Sequence, residues 1–81
     1  MMCRVRLFAR AKDLAGTDAV AVDLSSGATV ADLRRSLALD QPSLAGLLPR
    51  CAVAIEGEFA QDSSPLADGA EVALLPPVSG G

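Results

Sequence analysis

The residues best suited to chemistry in this 81-residue chain are its last two, Gly80 and Gly81. Glycines have no Cβ, so they form a slim and mobile carrier for an α-carboxylate, which can enter a channel too narrow for any side chain. Prolines fix their own φ and push the preceding residue into an extended conformation, so the Pro-Pro pair before this end is stiff. The segment 76–81 can project at most about 20 Å, at 3.3–3.6 Å per residue.

We interpret residues 76–81 as an extended C-terminal tail and residues 1–75 as the domain that carries it. The Gly81 carboxylate is the predicted reactive group. The rest of the tail is predicted to insert into a pocket of a partner protein, and it comprises Pro76, Pro77, Val78, Ser79 and Gly80.

The tail needs help from other proteins, because a free carboxylate is a poor electrophile at neutral pH. It is usually activated as an acyl adenylate formed from ATP. The chain contains no GxxxxGK[ST] loop and no GxGxxG after a strand, so we expect it to bind no ATP or other cofactor itself. It also lacks histidine as a general base, and its carboxylates cluster at no catalytic spacing. We therefore predict that it is not an enzyme by itself.

The two cysteines, Cys3 and Cys51, lie in strand-like runs at positions that face a core. We expect two buried, reduced thiols, since cytosolic disulfides are rare and free cysteine packs as a small hydrophobe. A catalytic thiol would need a neighbouring histidine or lysine, and a zinc site would need more ligands or a CxxC spacing. No metal site is predicted.

Charge and hydropathy limit the classes of partner. The net charge is −3, and all seven basic residues lie at or before Arg50. The acidic last third disfavours nucleic acid and would suit a partner with a basic rim, although ordinary solubilising charge is an equal alternative. Apolar runs fall far short of the ~20 residues that span a bilayer, and Arg4 and Arg6 interrupt the start. We expect a cytoplasmic protein without a membrane partner.

Hydrophobic periodicity predicts five strands and one main helix. Alternation predicts a strand over 2–10, with Cys3, Val5, Leu7 and Ala9 facing inward, and a hairpin partner over 18–24. Thr29 is a helix N-cap with Asp32 as a weak capping-box partner, and the solvent side of this helix holds Arg34 and Arg35. Further strands are predicted over 51–55, 58–60 and 70–75, the last one central and parallel to the first. The predicted fold class is α+β, a ubiquitin-like β-grasp with a mixed sheet.

The sheet face away from the helix is a candidate docking surface. By parity, Phe8, Ala54, Ala73 and Leu75 lie on this face beside the tail and would form an exposed apolar patch. Alternatively, arginine stems and the region of Phe59 cover it.

The sequence also carries a family resemblance, concentrated in its last seventeen residues. The run Pro-Leu-Ala-Asp-Gly-Ala-Glu-Val over 65–72, followed by Ala-Leu-Leu-Pro-Pro-Val-Ser-Gly-Gly, resembles the small subunit of molybdopterin synthase. The opening Val-Arg-Leu-Phe-Ala over 5–9, Leu-Ala-Gly over 14–16 and the Thr29 helix start are also similar to that family. Departures are Glu56, where the family often has Asn, and Leu74-Leu75, where it often has Phe before Pro-Pro.

The resemblance implies a sulfur carrier in molybdenum cofactor biosynthesis. An E1-like adenylyltransferase would use ATP to adenylate Gly81, and a sulfur donor (a persulfide from a rhodanese or cysteine desulfurase) would give a thiocarboxylate. The tail would then deliver sulfur to the pyranopterin precursor in the large subunit, within a heterotetramer of two small and two large subunits, to form the molybdopterin dithiolene.

Three other functions stay open. A β-grasp carrier could instead serve thiazole, cysteine or tRNA thiolation, or the chain could be a ubiquitin-like modifier whose terminus forms an isopeptide bond. A third alternative is an interaction module with a functionless tail.

Overall fold

The computed structural model describes residues 1–77 and shows one five-stranded mixed sheet with two α-helices. The strands are β1 (Met2–Leu7), β2 (Ala19–Asp23), β3 (Ala52–Ile55), β4 (Glu58–Ala60) and β5 (Glu71–Leu75). The helices are α1 (Ala9–Ala15) and α2 (Val30–Asp40), and two short 3-10 helices span Pro42–Leu44 and Leu48–Arg50. No helix within this described part is long and apolar enough to cross a membrane.

The strand order is β2-β1-β5-β3-β4, so the last strand of the chain occupies the centre of the sheet. It pairs parallel with β1, in a register that sets Val5 beside Val72, and antiparallel with β3, where Val53 faces Leu74. The crossover with a central, parallel last strand was predicted and is confirmed, as is the β-grasp fold class.

One face of the sheet packs against α2 and forms an aliphatic core. The helix contributes Val30, Leu33 and Leu37, each fully buried. The alternate residues of the central strands meet them, and these are Val5, Leu7, Val53, Val72 and Leu74. The predicted alternation therefore identifies the inward face correctly in all three central strands.

The start of α2 is fixed by a capping box, as predicted. The backbone N–H of Thr29 donates to Asp32 Oδ2 at 2.9 Å, and the Thr29 hydroxyl accepts from the Asp32 N–H at 3.5 Å. These contacts satisfy donors that a helix start leaves without intrahelical partners.

The first strand is shorter than predicted, because α1 and its N-cap residue replace its last three residues. β1 ends at Leu7, Phe8 caps α1, and Ala9 begins the helix with a positive φ of 51°. The segment Ala9–Ala15 is rich in strong helix formers, whose preference outweighs the alternation that predicted a strand. Ala9 is exposed instead of facing inward, and Ala11 is the helix residue that is buried.

A second correction concerns Arg34, predicted on the solvent side of the helix. Its side chain is only 20% exposed; Nε donates to Asp62 Oδ1 at 2.9 Å and the guanidinium donates to the Leu48 carbonyl at 2.6 Å. Arg35, whose side chain is 70% exposed and paired with Asp32, follows the prediction. Arg34 therefore ties α2 to the two loops that flank β3 and β4.

Candidate functional site

The point where the tail leaves the domain lies at the end of the central strand. Leu75 pairs with Ala52 of β3, and the ladder stops at Pro76 because proline has no backbone N–H to donate. Pro76 is half-buried and Pro77 is exposed. The remaining predicted tail residues, Val78, Ser79, Gly80 and Gly81, lie outside the described residues, so their roles stay predictions.

Beside this point lies the sheet face opposite α2, which we call the open face. Strand register sets five residues in one row across it, namely Ala19, Arg6, Ala73, Ala54 and Phe59. Toward the tail, Leu75 and Ala52 share the face, and Phe8 follows the end of β1. The side chains in this row are small and apolar on β5 and β3, and the side chain on β1 is basic.

The predicted docking residues are mostly accessible on this face. Phe8 is 41% exposed, and Ala73 and Leu75 are half-buried. The expected exposure of Ala54 is wrong, since only 7% of its surface is accessible. A methyl group in the middle of a sheet is shielded by its cross-strand neighbours, here Ala73 and Phe59. Ala54 therefore forms the floor of the surface.

Phe59 is the apolar residue of this face that the sequence prediction left out. It is 79% exposed and stands opposite Ala54 in the β3–β4 hairpin. The available signal was the Glu56-Gly57 pair between the two predicted strands, because the two positive φ angles there fix the register that pairs these strands. The open face thus has apolar side chains at both ends of its apolar half, and Phe59 shields Ala54 while its own side chain stays exposed.

Both thiols are buried, as predicted. Cys3 is 1% and Cys51 4% exposed, and burial raises the pKa of each above its ordinary value of 9.0. The Cys51 thiol donates to the Leu47 carbonyl at 3.4 Å. Cys51 immediately precedes β3, at the end of the sheet where the tail leaves, whereas Cys3 lies near the opposite end of β1. Along the strands the two thiol positions are separated by roughly 20 Å, too far for a disulfide.

Within residues 1–77, no group of three histidine, cysteine, aspartate or glutamate side chains is arranged to hold a metal ion. No buried polar side chain there lacks a hydrogen-bond partner. What the geometry provides is a rigid central strand that leads to the tail and an apolar surface next to it.

Comparison with known proteins gives end-to-end similarity. The chain matches the ThiS family over residues 5–81. It is 35% identical to the molybdopterin synthase sulfur carrier subunit of Chlamydomonas reinhardtii, with 100% of both chains covered. Among solved structures, small archaeal modifier protein 1 of Haloferax volcanii has a TM-score of 0.87 and 33% identity, covering 95% of this chain and 98% of that one.

A second solved structure contains a partner chain. In the complex of subunits 1 and 2 of the molybdopterin-converting factor from Helicobacter pylori, the similar chain has a TM-score of 0.70 and 28% identity, and 100% of both chains is covered.

Proposed function

Because the chain belongs to the ThiS family, we propose that it is the sulfur carrier subunit of a molybdopterin synthase and acts in molybdenum cofactor biosynthesis. The observation that carries this proposal is the full-length match to a curated sulfur carrier subunit, which extends to the terminal Gly-Gly. The central position of β5 supports it, since that strand leads directly to the Pro-Pro pair.

The chemistry we propose takes place at Gly81. An E1-like adenylyltransferase joins the Gly81 carboxylate to AMP, and pyrophosphate leaves. A persulfide of the sulfur donor attacks the acyl carbon and displaces AMP. A second thiol then attacks the donor-side sulfur of the resulting acyl disulfide, which releases the thiocarboxylate and leaves a disulfide on the donor side. This sulfur then attacks the pyranopterin precursor in the large subunit, and water cleaves the resulting thioester, which leaves the sulfur on the pterin and returns the Gly81 carboxylate. The carrier contributes the acyl group and its positioning, while ATP and all catalytic groups belong to its partners.

We further propose that the apolar half of the open face docks the large subunit and the adenylyltransferase. Phe8, Phe59, Ala73 and Leu75 provide its accessible apolar surface, with Ala54 as its floor. A protein docked there would lie next to Pro76, and so would receive the tail directly. Exposed apolar surface of this kind, rimmed by charge, is typical of interfaces.

The tail is tested by deleting Gly80 and Gly81. Coexpressed with its activating enzyme and sulfur donor, the unaltered chain should gain the mass of one oxygen-to-sulfur exchange, detected by intact mass spectrometry. The truncated chain should lose this change and all molybdopterin formation, yet keep its fold and its binding to the large subunit. Full product formation by the truncated chain would refute the proposal.

The docking surface is tested by two variants of matched exposure. Phe59→Glu places a charge on the open face, whereas Leu39→Glu places one on the solvent side of α2, where Leu39 is 81% exposed. We expect Phe59→Glu to weaken binding to the large subunit at least about tenfold, as loss of an aromatic anchor does. Leu39→Glu should leave it unchanged. Equal effects of the two variants would show that docking occurs elsewhere.

A second candidate function is supported by the likeness to small archaeal modifier protein 1. A modifier would use the same activated terminus but join it to lysine amines of other proteins. Mass spectrometry of the protein from its own cells distinguishes the two functions: a modifier gives Gly-Gly adducts on other proteins, whereas a carrier gives the thiocarboxylate.

A further inference from the structure

β2 is an edge strand of the sheet, and its outer edge pairs with no other strand among residues 1–77. In the β1–β2 ladder, Leu7 N–H donates to the Asp18 carbonyl at 2.9 Å and Leu24 N–H to the Met1 carbonyl at 2.8 Å. Antiparallel ladders alternate, so Val20 and Val22 direct their backbone groups to β1, while Ala19, Ala21 and Asp23 direct theirs outward.

Among residues 1–77, most of these outward groups have no hydrogen-bond partner. The Ala19 carbonyl accepts from the Thr17 hydroxyl at 3.2 Å. The outward N–H and C=O groups of Ala21 and Asp23 form no hydrogen bond with any residue in the described range 1–77. β2 also contains no proline or lysine, the residues that commonly block pairing at an edge. The opposite edge, β4, is shorter, with three residues.

The open-face side chains next to this edge are small on β2 and basic on β1. Ala21 pairs with Arg4 and Ala19 with Arg6. Both arginines are exposed, and neither forms an ion pair within residues 1–77. Arg4 lies beside Glu71 of β5, whereas Arg6 has only alanines on both sides in its row. A shallow concavity of about 440 Å³ lies here, lined by residues that include Met2, Arg4 and Ala21.

We propose that the β2 edge binds an extended acidic segment of a partner protein by strand addition. The added strand would lie about 4.8 Å from β2 and about 9.5 Å from β1. Ala19 and Ala21 would lie between the added strand and the two arginines, and their side chains are short. Carboxylates at two alternate positions of the added strand would therefore reach Arg6 and Arg4. The residue opposite Asp23 would not be acidic, since like charges directly opposite destabilise a sheet.

The intervening residues of the added strand would be apolar. They would point to the side of the sheet that α2 covers, next to Val20, which is half-buried at this edge. Their addition would complete the burial of Val20. In antiparallel orientation the pattern read from the N-terminus is therefore basic, apolar, acidic, apolar, acidic.

Two other occupants fit less well. A second copy of this chain would pair through another five-residue edge. The area buried between two such short edges would be far below the ~1,200 Å² that stable interfaces bury. A nucleic acid could not use the backbone groups of the edge and would meet Asp18 and Asp23 at its two ends. Strand addition extends the sheet sideways, so it leaves the apolar half of the open face accessible to another protein.

The test uses the blocked peptide acetyl-Lys-Val-Glu-Val-Glu-Val-amide, titrated into the full chain and followed by amide chemical shifts and hydrogen exchange. We expect weak binding that shifts and protects the Ala21 and Asp23 amides. The same peptide with Gln in place of both Glu should bind about two- to fivefold more weakly for each lost pair.

Variants of the chain test the two parts of the proposal separately, namely the ion pairs to Arg4 and Arg6 and the backbone pairing along β2. Arg6→Gln should weaken binding about two- to fivefold and Arg4→Gln less, because Arg4 also faces Glu71, whereas the charge-matched control Arg35→Gln should have no effect. Ala21→Pro removes an outward N–H that β1 does not use, and should weaken binding about tenfold.

Several results would overturn the proposal. These are equal binding of the Glu and Gln peptides, shifts confined to Phe8 and Phe59, or no shift at millimolar peptide. Shifts at β2 that depend on protein concentration without peptide would instead identify a second copy as the occupant. If Ala21→Pro proves unfolded by circular dichroism, the Arg6→Gln and Arg35→Gln comparison decides alone.

Discussion

Arg34 and Arg35 are neighbours on one helix, and the structure predicts that they differ strongly in their contribution to stability. We consider the substitutions Arg34→Ala and Arg35→Ala. The Arg34 side chain, 20% exposed, donates to the Leu48 carbonyl at 2.6 Å and to Asp62 at 2.9 Å. The Arg35 side chain is 70% exposed, and its partner Asp32 lies one helical turn away on the same helix.

The expected magnitudes follow from these environments. A hydrogen bond from a charged group contributes about 1.5–3 kcal/mol. The Leu48 carbonyl keeps a second donor, the Cys51 N–H, which favours the lower half of this range. The Asp62 side chain is 64% exposed, so screening limits that pair to about 0.2–1 kcal/mol. Arg34→Ala should therefore lower the free energy of unfolding by about 2–3 kcal/mol, and Arg35→Ala by at most about 0.5 kcal/mol.

Urea unfolding and thermal melts measure both changes. In a domain of this size, about 1 kcal/mol shifts Tm by about 4–8 °C, so Arg34→Ala should lower Tm by about 8–24 °C. Asp62→Asn separates the two contacts of Arg34. It should lower the free energy of unfolding only by the smaller contribution, that of the Arg34–Asp62 pair. Equal losses for Arg34→Ala and Arg35→Ala would refute the reasoning, since they would show that the tie between α2 and its flanking loops contributes nothing.

Three further predictions concern the core, the helix start and the thiols. Leu74→Ala should cost about 2–5 kcal/mol in urea unfolding because Leu74 is 1% exposed in the central strand, and a cost near zero would place it outside the core. Thr29→Ala should cost about 0.5–1 kcal/mol in the same assay, since the Thr29 hydroxyl accepts a long hydrogen bond of 3.5 Å; an unchanged stability would contradict the cap. Burial raises the pKa of Cys3 and Cys51, so their contribution to stability is present below the ordinary pKa of 9.0 and is lost as pH rises through the folded values. Reaction with a thiol reagent at pH 8 should therefore require unfolding, and fast labelling of the folded chain would contradict this.

Local patterns in the sequence were sufficient to predict most of the sheet and the start of α2. Alternation identified Val5 and Leu74 as core residues, because the period of a strand decides which face each side chain occupies. Thr29 and Asp32 identified the helix start because a capping box is formed within four residues. These features depend on residues that are close together in the chain, so they can be predicted from the sequence.

The features that sequence patterns missed depend on distant neighbours. Arg34 is partly buried because Asp62, 28 residues away, and the Leu48 carbonyl come to it in the fold. Ala54 is buried because Ala73 and Phe59 stand on either side of it. Periodicity assigns a residue to a face, but only the complete sheet decides what covers that face. The Gly81 chemistry is different again: it was predicted from the type and place of the last residues, and it stays a prediction.

The central position of β5 has a mechanical consequence. A force applied at Pro76 would enter a strand bonded on one side to β1 and on the other to β3. Because β5 is parallel to β1, tension between the start of β1 and the end of β5 loads their ladder in shear, so many hydrogen bonds must break together. A terminus attached to an edge strand could instead be peeled away one bond at a time. The sheet can therefore resist a force applied at Pro76 with several hydrogen bonds at once.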